Sequence, residues 1–345
     1  MFILLLFIVL CSTLFLSFFE REGTIKYKWT YIVITIVLCA MAAFRPEDVV
    51  RDYSTYIEHF SSKTKSEIEV EPSFQMIASA IKYFTNSYIW LFIVYALLSI
   101  PLFSYALQKL SLHPHLSLSI WIANFFILQN LTQIRVAVSI AFFLWGLFFV
   151  LQKQKIRYLL CVVCASFFHY SAIVLLLGVL FSNRPIKKYE RYILLSLPIV
   201  SFVFSIGYID IIDFIPIPYI QERIRQYNSL SSFETESINF FNIPYLLHLA
   251  TYFLLLIKYQ FLTAKISYLS LIIRIYACSI FFYLSLSFLP VLSTRISELF
   301  GIIEVLMIPS VSYAFLPQRY GILIVCIYAI AIFLFNVFYM QLLIF

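Results

Sequence analysis

The chain has 345 residues, 63% of them apolar, 19% aromatic and only 12% charged, with a mean hydropathy of +0.95. Soluble domains carry about 45–50% apolar and about 25% charged residues, so composition excludes a water-soluble fold for want of polar surface. The net charge of +7 gives no sign of a nucleic-acid partner and is read loop by loop, as membrane proteins distribute charge.

Apolar runs of roughly 15 to 24 residues can cross the ~30 Å hydrocarbon layer as helices and are too long for barrel strands. The first, Phe2 to Phe19, has no basic residue before it and no small-x-small cleavage site after it, and is expected to be a retained span. Further spans are expected near 29–44, 88–107, 116–130, 136–151, 158–181, 192–208, 243–257, 267–289, 299–316 and 321–343. The fold class is thus all-α, a polytopic helical membrane protein of about 11 spans. No internal repeat or low-complexity tract divides it. Residues 1–345 read as a single transmembrane domain with two long polar loops, at about 45–87 and 209–242. All six cysteines lie in apolar runs, so Cys161-x-x-Cys164 reads as packing, and no disulfide framework is expected.

Run 158–181 decides the topology downstream, because Phe167-Phe168-His169-Tyr170-Ser171 interrupts it near its midpoint. If the N-terminus is outside and the run is a short helical hairpin with His169 near its tip, the inner loops hold 14 basic residues against three acids. A full crossing instead gives 10 basic residues inside and 13 outside, against the positive-inside tendency. The hairpin is the favoured reading. It places both long loops, Gln133, Arg135, His169 and Arg295 at the outer face.

The first loop runs Arg45-Pro46-Glu47-Asp48-Val49-Val50-Arg51-Asp52-Tyr53-Ser54-Thr55-Tyr56. A helix from Asp52 to Phe60 places Asp52, Tyr56 and His59 on one face, with Arg45 and Arg51 at the membrane boundary. Arginine suits pyrophosphate because its planar fork donates two parallel hydrogen bonds and stays charged; the competing reading is a solvated loop with a local Arg51–Asp52 pair. Phe74, Ile77, Ala78, Ile81 and Phe84 form a stripe expected to lie in the interface plane. Arg135 has no acid near it in sequence, so it is either a snorkelling boundary residue or a phosphate ligand. His169 is either a hydrogen-bonded core histidine or a general base. Arg295 has Glu298 at i+3, and a simple helix-start pair competes with a ligand role. Arg274 and Glu304 lie in apolar runs, ~12 Å from the inner edge and ~8 Å from the outer edge, so a direct pair between them is not expected. Loop 209–242 and the Tyr208 just before it carry Tyr208, Tyr219, Arg223, Arg225 and Tyr227, a mixture suited to sugars without being specific to them. There is no metal-ligand cluster in the pattern.

Four patches, taken in order, resemble the EpsG family of polysaccharide repeat-unit polymerases, relatives of Wzy-type O-antigen polymerases. They are Arg45 to Tyr56 with its Asp52-Tyr53-x-x-Tyr56 core, Gln133-Ile134-Arg135 with Ala137 and Ala141, Phe168-His169-Tyr170-Ser171 after the basic 153–157 loop, and Ser293-Thr294-Arg295 before a span ending Ile308-Pro309. They extend from about residue 44 to about 310. Where the family often has Gly-x-Asp, Val50-Arg51-Asp52 stands here.

The resemblance implies a GT-C-like glycosyltransferase of the bacterial cytoplasmic (inner) membrane with its site facing the periplasm. It would join undecaprenyl-pyrophosphate-linked oligosaccharides into O-antigen or exopolysaccharide, without a cofactor, beside membrane lipid and a protein that regulates chain length. In that role Arg45, Arg51, Arg135 and Arg295 would bind pyrophosphate, Tyr56, Gln133, Arg223 and Arg225 the glycan, and His169 or Asp52 would take the acceptor proton. Two other classes compete: a lipid-linked oligosaccharide flippase or transporter, for which two similar halves and broken midplane helices would be expected, and a membrane-bound acyltransferase using His169 towards the inner side.

Overall fold

The computed structural model describes residues 1–20, 28–61, 71–206, 240 and 242–343. Among them the regular structure is helical. Helices α1 (Phe2–Ser17) and α2 (Lys28–Ala43) are followed by α3 (Tyr53–Ser61) and α4 (Pro72–Phe84), which lie in the first polar loop. Then come α5 (Ile89–Leu110), α6 (Pro114–Ile120), which continues as a π-helical stretch Trp121–Thr132, and α7 (Ile134–Leu151). After α8 (Lys155–Phe168) and a 3-10 helix Tyr170–Leu180 the chain enters α9 (Lys188–Ile206). The last part holds α10 (Ile243–Ile257), α11 (Tyr259–Thr263), α12 (Leu269–Ser285), α13 (Pro290–Gly301), α14 (Glu304–Ser310) and α15 (Gln318–Leu334), the last ending in a π-helical turn Phe335–Tyr339.

Three helices have the length and composition to cross a membrane unaided, Ile89–Leu110, Ile134–Leu151 and Gln318–Tyr339, and five more apolar helices are shorter. Proline sets several starts: Pro72, Pro114 and Pro290 stand at the first turn, where the missing N–H has no helical partner to lose. Asn242 caps α10 by accepting from Tyr245 N–H at 2.8 Å.

The run 158–181 turns back on itself. The buried Tyr158 hydroxyl, near the start of α8, donates to Leu175 O at 2.5 Å in the middle of the 3-10 helix, and Gly178 farther along packs on the same ring, so the two arms lie antiparallel. Gly178 is required for this closeness, since a Cβ there would be driven into the ring and hydroxyl of Tyr158. His169 stands at the tip in extended conformation, φ −152° and ψ 115°. Ser139 Oγ of α7 donates to Ala165 O at 3.0 Å and ties the tip to the bundle.

Run 299–316 is not one helix, as the sequence reading had it. α13 starts earlier, at Pro290, and the helix breaks at Ile302–Ile303 before Glu304. The break serves a buried polar network. Glu304 Oε1 accepts from Tyr276 Oη at 2.8 Å and lies 3.1 Å from His248 Nδ1, while Oε2 accepts from Asn124 Nδ2 at 3.0 Å. His248 Nε2 is 3.0 Å from Tyr328 Oη, and Asn336 Nδ2 donates to Ala123 O at 3.1 Å. Two π-helical segments and a helix break meet here, as expected where irregular backbone at membrane depth is enclosed by protein. Arg274 pairs instead with Glu190, at 2.7 Å from Nε to Oε1, so the expected separation of Arg274 and Glu304 holds.

The stripe on α4 is half as expected: Phe74, Ala78 and Ile81 are buried, whereas Phe84, in the last turn before Thr85, is 83% exposed. Elsewhere Glu20 accepts from His115 N–H at 3.1 Å and lies 2.9 Å from His115 Nδ1, joining the end of α1 to the start of α6.

Candidate active site

The polar residues of α3, α4, α7 and the hairpin tip meet around one carboxylate. Glu71 immediately precedes Pro72, which starts α4, and its side chain is buried. Oε2 pairs with Nη1 of Arg135, a first-turn residue of α7, and Oε1 lies 3.1 Å from Nδ1 of His169. A residue before a proline is held extended, which here fixes the carboxylate between the helix start and the hairpin tip. Arg135 had no acid near it in sequence; its acid is 64 residues earlier.

Aromatic rings position the cation. The Arg135 guanidinium lies 5.9 Å from the Tyr56 ring centre and 6.0 Å from that of Phe74. Tyr56 packs on Phe74 at 6.1 Å, Phe74 on Tyr95 at 6.3 Å, and Tyr95 on Phe168 at 6.2 Å, a ring series that ends beside His169. Tyr56 is itself 5% exposed and hydrogen-bonded to Arg135, so it orients the guanidinium and is not presented to solvent.

His169 lies outside the apolar arms of the hairpin, with its side chain 12% exposed. Burial, followed by the charges of Arg295 and Arg135, pushes its pKa down to about 4. The imidazole is therefore neutral at physiological pH. Its Nδ1 faces Glu71, so the proton is assigned there from the hydrogen bond, which leaves the lone pair on Nε2. Arg295 in α13 is exposed and close enough to act on both His169 and Glu298, and it forms no ion pair with either among the described residues. Asp52 is half-buried, and burial raises its pKa against the opposing charges of Arg135 and Arg51.

Two of the candidate arginines do something else. Arg45 is 4% exposed: Nε donates to Ala42 O at 2.8 Å, Nη1 donates to Leu131 O, and the guanidinium lies 4.4 Å from the Phe92 ring centre. It joins the end of α2 to the end of the π-helical stretch and is buried within the protein. Burial lowers it to about 10, still cationic at neutral pH, and Nη2 alone has no partner. Arg51 Nη2 donates to Gln341 O at 2.6 Å and Met340 O at 3.3 Å, beside a Val50–Leu343 backbone bridge. It tethers a distant segment of chain. Gln133 is half-buried at the start of α7 and makes no side-chain hydrogen bond among the described residues. Arg223 and Arg225 lie outside the described residues.

Sequence reasoning missed Glu71. It ends the alternating acids Glu67, Glu69 and Glu71, and only its place before Pro72 at a helix start distinguishes it.

The family model for the EpsG family matches residues 28–343, almost the whole chain. No curated protein and no solved structure gives a significant match.

Proposed function

The chain belongs to the EpsG family, a family of Wzy-type polymerases, and from that premise we propose that it joins lipid-linked oligosaccharide repeat units into a longer glycan at the outer face of the bacterial cytoplasmic membrane. The observation that carries this reading is the sharing of Glu71 between Arg135 and His169, which places a neutral base beside a fixed cation. The donor is a glycan on a polyprenyl pyrophosphate, of which undecaprenyl is the expected form, and the acceptor is the sugar of a second lipid-linked unit.

His169 Nε2 takes the proton of the acceptor hydroxyl as that oxygen attacks the anomeric carbon of the donor. The bond from that carbon to the pyrophosphate oxygen breaks, and its electron pair leaves with the lipid pyrophosphate. Arg295 and the remaining donors of Arg135 receive this charge, which is largest in the transition state. Glu71 holds the imidazole tautomer and stabilises the imidazolium that forms. Asp52 has no comparable orienting hydrogen bond among the described residues and serves the acceptor side of the site. Gln133, with its amide uncommitted, contacts the glycan.

The test uses lysine. Arg135→Lys and Arg295→Lys keep the charge but lose the bidentate fork, and each is expected to reduce polymer about 10- to 100-fold at normal protein abundance. Near-normal polymer from both variants would assign these residues to membrane anchoring. Orientation has its own measurement. In a background without native cysteines, Ser87→Cys should react with an impermeant thiol reagent in outer-membrane-permeabilised cells and Lys188→Cys should not. The reverse pattern places the site inside and removes the polymerase reading.

A further inference from the structure

Between α2 and α5 the bundle carries a groove of about 720 Å³. Pro101 inside α5 lies on the groove wall; proline has no N–H, so the carbonyl of Leu97, which also lines the groove, has no helical donor there. The helices touch where the Tyr31 hydroxyl donates to Ser104 O at 3.0 Å and where Cys39 Sγ approaches Ala96 O at 4.0 Å. Ile32, Thr35, Ile36, Leu97 and Pro101 line the space, and the lining is predominantly apolar.

One end of the groove is cationic. Lys28 and Lys109, both exposed, border it, and among the described residues no carboxylate lines it. The Lys109 ammonium is 5.5 Å from the Tyr105 ring centre, and Trp29, next to Lys28, is 79% exposed. Lysine beside exposed tyrosine and tryptophan is the composition of a lipid-headgroup level. Lys28 and Arg45 stand at opposite ends of α2, ~25 Å apart along its axis, which approaches the thickness of the hydrocarbon layer. Arg45 bonds Leu131 O, near Arg135, so the lysine end is the headgroup level remote from Glu71.

We propose that this groove binds one anionic glycerophospholipid of the leaflet opposite the Glu71 site, its phosphate on Lys28 and Lys109 and one acyl chain along α2 and α5. This lipid is not the substrate: on the polymerase reading the substrate pyrophosphate lies at Arg135, at the opposite headgroup level. The charge of the two lysines selects the headgroup, and the apolar channel above them accepts a hydrocarbon chain.

The experiment reads binding alone, so its outcome is separate from that of the polymerase reading. The full chain, delipidated in nonionic detergent, is titrated in native mass spectrometry with phosphatidylglycerol or with phosphatidylcholine of the same acyl chains. One phosphatidylglycerol per chain is expected to be retained in preference to phosphatidylcholine. Lys28→Gln with Lys109→Gln is expected to weaken phosphatidylglycerol roughly 20- to 30-fold, from the usual contribution of two lysines near an anionic headgroup. Ile36→Trp, at a 60% exposed position in the groove, is expected to weaken phosphatidylglycerol without altering the charge. Melting temperatures without lipid show that both variants are folded. Equal retention of the two lipids, undiminished binding by the double glutamine variant, or displacement by undecaprenyl phosphate at lower concentration would each overturn the proposal.

Discussion

Glu71→Gln is expected to reduce polymer about 10²- to 10⁴-fold, the range for loss of a general base or of the carboxylate that orients it. Glutamine keeps the shape and can still accept from His169, but it removes the charge that pairs with Arg135 and that would stabilise an imidazolium. His169→Ala should fall as far, and the double variant no further, because residues acting as one unit are not additive. Cells carrying either variant should still display single repeat units on the lipid acceptor, since only bond formation is lost. Loss of that short product at normal protein abundance would favour a flippase. The pH profile gives a second readout. With His169 lowered to about 4, the base form is complete through pH 6–8, so activity should be flat there and fall only as pH drops towards that value. An acid limb near pH 6.5 would contradict a buried, arginine-flanked imidazole.

Glu304→Leu is expected to destabilise the protein by several kcal/mol, at about 1–3 kcal/mol for each group left unsatisfied, because it removes an acceptor shared by three other helical segments. Asn124, Tyr276 and His248 all lose their common acceptor, and each belongs to a different part of the chain. Glu304→Gln keeps the size and one acceptor oxygen but puts a donor in place of the other, and should cost less, about 1–2 kcal/mol. Thermal unfolding in detergent, followed by labelling of the buried cysteines, separates the two. A leucine variant as stable as the parent would mean that the network is held by its neighbours and not by Glu304. The helix break at Ile302–Ile303 would then need another cause.

Much of the architecture could be read from residues in order. The hairpin at 158–181 followed from polar groups in an apolar run and from counting lysines and arginines on each side, quantities that survive without coordinates. Arg135 and His169 stood out because each is polar where the run around it is not. Their common partner did not, for a physical reason: an acid among alternating acids in a polar loop has nothing to mark it until tertiary structure brings it against a cation. The burial of Arg45 was not legible for the converse reason. A guanidinium at a helix end reads as a boundary residue, and only the carbonyls of Ala42 and Leu131, the second of them 86 residues away, make its burial affordable. The π-helical stretch Trp121–Thr132 was likewise not legible, because its apolar residues suit an α-helix as well; the shift shows in Gln133 N–H donating to Leu128 O, five residues back.

The tether at Arg51 bears on the order in which the protein can mature. Asp52 and Tyr56 leave the ribosome early, yet the backbone just before them is fastened to Met340, Gln341 and Leu343, about 290 residues later. During synthesis that segment has no such clasp, and the chain between must be inserted before it closes. A nascent chain thus carries its arginines, tyrosines and histidine at the membrane without the alignment that chemistry requires. The hairpin tip and Glu71 can already meet at that stage; the Asp52 side of the site is secured only when the last helix is in place.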